Sequence, residues 1–439
     1  MQMTPVKKEV IKWSVYWAIF IAVYVILSVV FGGYQLYALL LVIAAINFVL
    51  RIALILPFRK LSIKWLKITI IIVLNILITG ALAYSVYEIV LSGTEYNNKY
   101  IESLDYSVFE HTSEYSYDRE TGVYTVSSQN DECKILQLTD VHISGGINTI
   151  STDRKAFDAC YTLIKEAQPD LIIVTGDIVY PIPVQTFNSN NLKPMYQFCT
   201  FMNNVGIPWM MVYGNHDTEA VATYDSQTLS GLFSHFKSEN APMLYAEKQP
   251  DIYGRYNQYI RVENNDGSLN RILFLIDSND YVQGSIEINN YDSVHTDQIQ
   301  WYSDTIDELS TGDEIVRSFV YMHIPFRAFA DAQEALAQNS GEAEKLFGTN
   351  GESVCCPDVD TGFFDKILEK KSTDAVFVGH DHLNNMGVKY KGVDLVYSKS
   401  IDYIAYPRIA KQTEQRGATL VTLSKSGEYK IEQIDYVQE

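Results

Sequence analysis

The sequence predicts an α/β domain preceded by three transmembrane helices. Three observations support this fold class. Long uncharged runs occupy much of residues 14–87, and from Lys134 onward short runs rich in β-branched residues alternate with amphipathic stretches. Several of those short runs end directly in histidine, aspartate or asparagine. A chain of 439 residues is long enough for a membrane domain and a second, larger domain.

Three stretches near the N-terminus are about as long as a membrane span, which needs roughly 20 apolar residues. They are Ser14–Phe31, Leu36–Leu50 with its continuation past Arg51, and Ile68–Tyr87. The middle one spans only if Arg51 snorkels or faces protein. A cleaved signal peptide is the alternative for the first stretch, but that stretch is long and two more follow it. We therefore assign residues 1–93 to a membrane domain with three transmembrane helices.

Basic residues around these stretches predict their orientation. The segments before the first stretch and between the second and third carry seven lysines and arginines, whereas the link 32–35 carries none. Because positively charged loops stay on the cytoplasmic side, we expect the N-terminus in the cytoplasm and everything after about residue 92 outside. The chain is thus expected to be a multi-pass protein of the cell membrane with an extracytoplasmic C-terminal domain.

The net charge divides the chain in the same way. Of the total of −19, residues 1–93 contribute +6, which leaves −25 on residues 94–439. A surface this acidic repels a phosphate backbone, so nucleic acid is excluded as a partner. Five cysteines are too few for a disulfide framework in so large a domain, although one bridge, including one at the Cys355–Cys356 pair, stays open.

Residues 94–130 are polar and rich in tyrosine without clear periodicity, so we expect a connecting segment with a strand at Val123–Val126. Residues 131–439 form the main domain. Its predicted strands lie at 134–139, 171–175, 208–213, 271–277, 318–322, 375–378 and 394–398. Helical periodicity marks 153–167, 194–205, 296–309 and 362–370, and the chain ends in a predicted β-hairpin. This alternation predicts crossover units in a largely parallel sheet, with later strands in a second sheet packed on the first.

Polar residues follow five of the predicted strands at the point where each strand ends. In chain order they are Asp140 and His142, Asp177, Asn215 with His216 and Asp217, His323, and His380 with His382. Ligands bind beyond the carboxyl ends of the strands in an open α/β sheet, so these side chains are expected to converge. The five motifs contain five of the eight histidines of the chain.

Two interpretations of these histidines compete. A single histidine after a strand is most often a capping or hydrogen-bonding residue, but five strand ends with the same chemistry favour a metal centre. Carboxylate, amide and imidazole ligands suit Mn, Fe, Co or Zn. Seven candidate ligands are too many for one tetrahedral ion, so we predict two divalent ions bridged by a shared carboxylate. Their residual positive charge would suit phosphoryl chemistry.

The order D-x-H, G-D, G-N-H-D, H and G-H-x-H resembles the calcineurin-like metallophosphoesterase superfamily over about residues 133–405. The blocks GDIVY, VYMH and GHDHLNN are similar to the purple-acid-phosphatase-like branch. The resemblance implies an α/β/β/α fold, in which a two-sheet sandwich is flanked by helices on both outer faces.

The resemblance also implies residue roles by position. For one ion, the implied ligands are Asp140, His142, Asp177 and His382. For the second ion, they are Asp177 as a bridge, Asn215, His323 and His380. His216 is not a ligand in this pattern. It would protonate the leaving oxygen or hold the phosphate, with Asp217 orienting its ring.

The first block departs from purple acid phosphatases, in which it reads D-x-G and the tyrosine of GDxxY binds ferric iron. Here His142 can fill that coordination position. Tyr180 is therefore expected to pack beside the site, and a purple ferric centre is not expected. Arg327 could reach a phosphate, but a surface charge is the simpler interpretation.

These observations predict a membrane-anchored, dinuclear metal-dependent phosphoric ester hydrolase. It would cleave a phosphate mono- or diester, including a lipid-linked one, by attack of a metal-bridging hydroxide with His216 as proton donor. The alternative is a non-catalytic membrane sensor or binding protein that keeps the fold. A retired site usually lacks a ligand, whereas every ligand position is filled in this sequence.

Overall fold

The structure is a computed structural model. It describes residues 93–437 except 111, 187, 238–241, 284–289, 313 and 407–414, together with scattered positions between 63 and 80. The first two predicted membrane spans lie outside the described residues, and most of the third does too. Within the described part of the chain, every helix is too short or too polar to cross a membrane.

The described elements are two sheets and the helices that cover them. In chain order the strands are β1 (Ser113–Asp118), β2 (Val123–Ser128), β3 (Glu132–Leu138), β4 (Leu171–Thr175), β5 (Trp209–Val212), β6 (Gln258–Glu263), β7 (Leu269–Leu275), β8 (Ser318–Tyr321), β9 (Ala343–Phe347), β10 (Thr373–Val378), β11 (Gly387–Tyr390), β12 (Val393–Tyr397), β13 (Gly417–Ser424) and β14 (Tyr429–Asp435). The helices are α1 (Gly93–Ser103), α2 (Ile150–Ala167), α3 (Pro183–Thr186), α4 (Leu192–Val205), α5 (Ser226–Phe236), α6 (Thr296–Leu309), α7 (Arg327–Ala337) and α8 (Phe363–Lys370). Each strand and helix predicted between residues 131 and 439 has a counterpart among them.

Five of the described strands form the smaller sheet, in the order β14-β13-β3-β4-β5. β3, β4 and β5 run parallel, because α2 and α4 connect them as crossover helices. All five residues of β4 are buried, as expected for an apolar strand that is covered on both faces. The predicted C-terminal hairpin, β13 and β14, extends this sheet from the edge of β3.

Nine of the described strands form the larger sheet, in the order β1-β2-β6-β7-β8-β10-β12-β11-β9. Its centre, from β7 to β12, is parallel. The two sheets face each other across a shared core that includes Ile135 and Met210 from one and Leu273 and Phe319 from the other. α2 and α4 cover the outer face of the smaller sheet, and α6, α7 and α8 cover that of the larger. This arrangement confirms the predicted two-sheet sandwich flanked by helices.

Residues 94–130 differ from the connecting segment that we expected. Ile101 of α1 lies in the same core as helix α2, and Asn97 donates a hydrogen bond of 3.0 Å to Asp153 of that helix. β1 and β2 form one edge of the larger sheet. Tyr115 and Tyr117 alternate with exposed residues along β1, which is the period-two pattern of a half-buried strand. The tyrosine-rich composition therefore belongs to a sheet edge.

All five cysteines are free. Cys133, Cys160 and Cys199 are buried, and burial raises the pKa of each thiol. Cys355 and Cys356 are partly exposed neighbours without a bridge between them. The bridge that the sequence left open is therefore absent from this structure.

Candidate metal centre

The predicted ligands lie together where strands of both sheets end. They follow β3 (Asp140, His142), β4 (Asp177), β5 (Asn215), β8 (His323) and β10 (His380, His382). Four of them adopt positive φ values: 52° at Asp140, 53° at His142, 52° at Asp177 and 73° at His380. Such a conformation costs a non-glycine residue roughly 1–3 kcal/mol and tends to occur at functional sites, where the surrounding structure holds it.

One group consists of four buried side chains whose donor atoms all lie within 4.8 Å of one another. Its members are Asp140, His142, Asp177 and His382. Nε2 of His142 lies 3.3 Å from Oδ2 of Asp177, and Nε2 of His382 lies 3.4 Å from Oδ1 of Asp140. Two carboxylates and two imidazoles therefore face one small volume.

A second group shares Asp177 with the first and adds His323 and His380. Nε2 of His323 lies 3.2 Å from Oδ2 of Asp177 and also 3.2 Å from Oδ1 of Asn215. The amide oxygen of Asn215 thus points into the second group. All seven predicted ligands are brought together, and Asp177 stands between the two groups.

The spacing within both groups fits divalent cations. Two ligand atoms bound about 2.1 Å from one ion, at about 90–110° to each other, lie about 3.0–3.4 Å apart. The four separations given above are 3.2, 3.2, 3.3 and 3.4 Å. Carboxylate, imidazole and amide donors suit Mn, Fe, Co or Zn, and neither group contains a thiolate.

The charges inside the groups offset one another. Burial alone would raise the pKa of Asp177, but the charges of His323 and His216 hold it well below its usual range. Burial would lower the pKa of His382, but the neighbouring Asp140 raises it well above its usual range. Burial, with the charge of His323, lowers the pKa of His380 to about 3. The buried carboxylates stay ionised, so cations could replace protonated imidazoles as their counter-charge.

His216 lies at the margin of the two groups and is partly exposed. Its Nε2 lies 3.9 Å from Oδ2 of Asp177. On the other side of the ring, Nδ1 lies 2.7 Å from Oε1 of Glu219. That oxygen is out of line with the ring N–H, so the contact is close without being a well-aligned hydrogen bond. One ring nitrogen therefore faces the candidate metal centre, and the other faces a carboxylate.

The expectation that Asp217 orients the ring of His216 is wrong. The buried carboxylate of Asp217 accepts hydrogen bonds from the backbone N–H groups of Gly214 at 2.8 Å, Asp177 at 3.0 Å and Val179 at 3.1 Å. Burial, with the charge of Asp177, raises the pKa of Asp217 to about 6. Its role is to tie the loop after β5 to the loop after β4. Adjacent side chains in this turn diverge, whereas positions three apart meet, which is why Glu219 reaches the ring instead.

Asp402 is a buried site residue that the sequence analysis missed. Its two oxygens lie 3.1 Å from Nδ1 of His142 and 3.2 Å from Nδ1 of His382. It also accepts the backbone N–H groups of Ile404 and Ala405, each at 2.8 Å. The available signal was its place five residues beyond β12, another strand that ends at this edge of the larger sheet.

Arg255 and Tyr281 hold the loop after β5 from the side of the larger sheet, and neither was predicted. Nη1 of Arg255 donates hydrogen bonds of 2.9 Å to the carbonyl of Gly214 and to Oγ1 of Thr218. Nδ2 of Asn215 donates one of 2.9 Å to the hydroxyl of Tyr281. No local motif marks either residue, because each reaches the loop only through the packing of the two sheets.

Two glycines allow the loops to approach so closely. An added Cβ at Gly214 would collide with the carboxylate of Asp177, and one at Gly379 would collide with the hydroxyl of Thr139. The glycines of G-N-H-D and G-H-x-H are therefore required for close approach, in addition to turning the chain off a strand.

Tyr180 packs beside the site and Arg327 lies at the surface, as predicted. The ring of Tyr180 packs against those of His142 and His216, with centroids 4.8 Å away in each case, and burial raises its pKa to about 12. Arg327 is exposed and pairs with Asp331 at 3.2 Å, one turn further along α7.

Comparisons with known proteins agree with this site. The calcineurin-like phosphoesterase family matches residues 133–384, more than half of the chain. "Probable inactive purple acid phosphatase 14" of Arabidopsis thaliana is 30% identical over 304 residues, which cover 63% of this chain and 72% of that protein. "Phosphatase DCR2" of Saccharomyces cerevisiae is 25% identical over 269 residues, which cover 57% of this chain and 44% of that protein.

Among solved structures, a dimetal phosphatase from Danio rerio is similar with a TM-score of 0.45 and 12% identity, covering 70% of this chain and 97% of that one. The family match begins within β3 and ends just after the G-H-x-H block, so it includes every member of both groups. Similarity to purple-acid-phosphatase-like proteins extends over nearly two thirds of the chain. The chain therefore belongs to the calcineurin-like phosphoesterase family and has purple-acid-phosphatase-like relatives.

Proposed function

We propose that this protein is a dinuclear metal-dependent phosphoesterase that hydrolyses a phosphate mono- or diester. The observation that carries the proposal is the pair of ligand groups that share one carboxylate. Both groups are spaced for cations, and both include Asp177. Two-metal hydrolysis of phosphate esters needs two ions held side by side, and a carboxylate shared by two ligand groups would hold them so.

Each ion has a defined set of side chains in this proposal. Asp140, His142, Asp177 and His382 hold one, and Asp177, Asn215, His323 and His380 hold the other. The donor types fit Mn, Fe, Zn or Co. Bound there, two divalent ions would supply a hydroxide nucleophile near neutral pH and offset the charge that develops on the phosphoryl oxygens.

The part played by His216 is to donate a proton to the leaving oxygen. Its Nε2 lies 3.9 Å from Oδ2 of Asp177, at the margin of the two groups, and the ring is partly exposed to solvent. It remains outside both sets of ligands. A positioned acid of this kind contributes about 10²–10⁴-fold to the rate.

A binding or sensing protein without catalysis is the second candidate. The names of three Arabidopsis thaliana relatives describe those proteins as probably inactive. In favour of catalysis here, every donor that the family pattern needs is present and points inward. The discriminating property is turnover by the metal-loaded protein.

The test uses the full chain purified in detergent and loaded with Mn. Elemental analysis counts the ions, and hydrolysis of 4-nitrophenyl phosphate is compared with that of bis(4-nitrophenyl) phosphate. We expect two ions per chain and turnover of at least one ester. Two bound ions without hydrolysis of either ester would favour the binding protein, and the absence of bound ions would overturn the phosphoesterase.

We also propose that the chain is anchored in the cell membrane with its phosphoesterase domain outside, where a lipid-linked phosphate ester could serve as substrate. The three uncharged stretches support the anchor. So do six described apolar side chains between Trp65 and Leu77, which are 47–69% exposed at helical positions. Resistance of the protein to alkaline extraction, with accessibility of the domain to protease on intact cells, is the expected result. Release by alkaline carbonate would overturn the anchor.

A further inference from the structure

The contacts of Glu219 suggest a role that the family pattern does not include. Its Oε1 lies 2.7 Å from Nδ1 of His216, on the side of the ring opposite the candidate metal centre, in a charge contact rather than an aligned hydrogen bond. The Glu219 side chain is 13% exposed, so this contact is largely shielded from water. The neighbouring Asp217 cannot take this position, because its carboxylate is fully engaged with backbone N–H groups.

A tyrosine connects the same carboxylate to a proposed metal ligand. The hydroxyl of Tyr281 donates a hydrogen bond of 3.1 Å to Oε1 of Glu219 and accepts one of 2.9 Å from Nδ2 of Asn215. Because Nδ2 is held by the hydroxyl, the amide presents its Oδ1 to the second group, 3.2 Å from Nε2 of His323. The order of contacts is His216, Glu219, Tyr281, Asn215.

Packing keeps Tyr281 in place. Its ring stacks on Tyr291 with centroids 5.5 Å apart and an interplanar angle of 25°. Tyr291 in turn contacts the ring of His380 at 4.7 Å. The hydroxyl of Tyr281 is therefore fixed relative to both the proposed acid and the second group of ligands.

We propose that Glu219 and Tyr281 form a positioning pair. Glu219 fixes the orientation of the His216 ring so that Nε2 faces the leaving oxygen. Tyr281 contacts both Glu219 and the amide of Asn215, so it links the orientation of the ring to that of the amide. The inference rests on the proposed function, because it assigns positions to the proton donor and to a metal ligand of that reaction. Neither residue touches the reacting atoms.

The first test measures how the turnover of the Glu219→Ala variant depends on the leaving group of the ester. A proton donor matters most for a basic leaving group, such as an alkoxide, and little for nitrophenolate. We expect the turnover of an alkyl phosphate ester to fall about 10²-fold, while that of the matching nitrophenyl ester changes by less than about threefold. Glu219→Gln, which keeps an oxygen acceptor, should recover part of the loss. An equal loss on both esters would overturn the proposal.

Matched controls separate positioning from general damage. Glu369→Gln removes an exposed carboxylate that pairs with Lys366, and Tyr302→Phe removes a buried hydroxyl that contacts Thr373. Both controls should behave as wild type on both esters. Tyr281→Phe should weaken binding of one of two Co ions about tenfold in chelator competition, whereas Glu219→Ala should leave metal content unchanged.

A crystal structure of metal-loaded Glu219→Ala beside wild type supplies a readout that does not depend on activity. We expect the His216 ring to rotate away in the variant while the seven ligand side chains stay in place. An unchanged orientation of the His216 ring would overturn the positioning pair, whatever the rate of hydrolysis. A wild-type protein that binds both ions without hydrolysing any ester would overturn the proposed function, and the ring comparison would still decide the positioning pair.

Discussion

Nδ1 of His142 lies 3.1 Å from Oδ1 of Asp402, although 260 positions separate the two residues in the chain. The second oxygen of the same carboxylate lies 3.2 Å from Nδ1 of His382. A carboxylate behind a ligand histidine fixes the ring orientation and leaves Nε2 free to bind metal. Asp402 thus orients the rings of two proposed ligands, His142 and His382.

Replacing Asp402 by Asn is expected to weaken metal binding about 10- to 100-fold, because one amide oxygen cannot hold two imidazoles. Competition between the protein and a chelator for Co at fixed pH measures the change. Asp394→Asn is the matched control, since it removes a buried carboxylate at the opposite end of β12, where it contacts Lys389 and Tyr429. Equal affinities of wild type and Asp402→Asn would contradict the orienting role.

Replacing Asp177 by Ala is expected to remove both ions, because this carboxylate belongs to both groups. Hydrolysis should fall on the order of 10³-fold or more, which corresponds to several kcal/mol of transition-state stabilisation. Elemental analysis and initial rates measure the two effects, and circular dichroism checks the fold. His216→Ala serves as the contrasting variant, which should keep both ions and lose turnover. Retention of two ions by Asp177→Ala would refute the shared-carboxylate arrangement.

Tyr180→Phe is expected to keep both ions and to change kcat/KM by less than about tenfold, because the hydroxyl of a packing residue contributes little. Visible spectra of the iron-loaded wild type and variant provide the measurement. A purple absorption band that disappears in the variant would show that Tyr180 binds iron after all.

Asp153 is expected to make stability depend on pH. Burial raises its pKa to about 7, above the ordinary value near 4, despite hydrogen bonds from the backbone of Ser144 and Gly145 and from Asn97 and Thr149. The folded state then holds a proton that the unfolded state releases. The contribution of Asp153 to stability is therefore highest below about pH 4 and falls as pH rises to about 7, by at most about 4 kcal/mol.

Urea unfolding of wild type and Asp153→Asn between pH 4 and 8, with a chelator in both samples, measures this contribution. The wild type should lose stability relative to the variant as pH rises. If it gains stability instead, the four hydrogen-bond donors outweigh burial and hold the carboxylate ionised.

Local patterns were sufficient to predict the two packed sheets and the convergence of the seven candidate ligands. Strand ends such as that before Asp177 combine an apolar run with a polar turn, and both features lie within a few consecutive residues. The helix Thr296–Leu309 has the predicted boundaries because its amphipathic period covers all its turns. Convergence of the motifs then followed from a general property of parallel sheets.

The sequence did not reveal contacts that depend on tertiary packing. Asp402 reaches His142 only because β12 and β3 belong to different sheets of one sandwich. Asp217 does not contact the ring of His216 because its carboxylate accepts three backbone N–H groups of the loops after β4 and β5. The sequence alone does not show which backbone groups need such an acceptor. Residues 94–130 were misjudged because β1 is a half-buried edge strand with tyrosines in place of aliphatic residues.

The hydrogen bond from Asn97 to Asp153 limits how far the phosphoesterase domain can move from the N-terminal part of the chain. α1 begins at Gly93, only six positions after Tyr87, where the third uncharged stretch ends. Six residues of fully extended chain reach about 20 Å. Asp153 also accepts the backbone N–H of Gly145, three residues beyond the proposed ligand His142. An anchor at residues 68–87 would therefore also limit the distance between that anchor and the ligand-bearing loop.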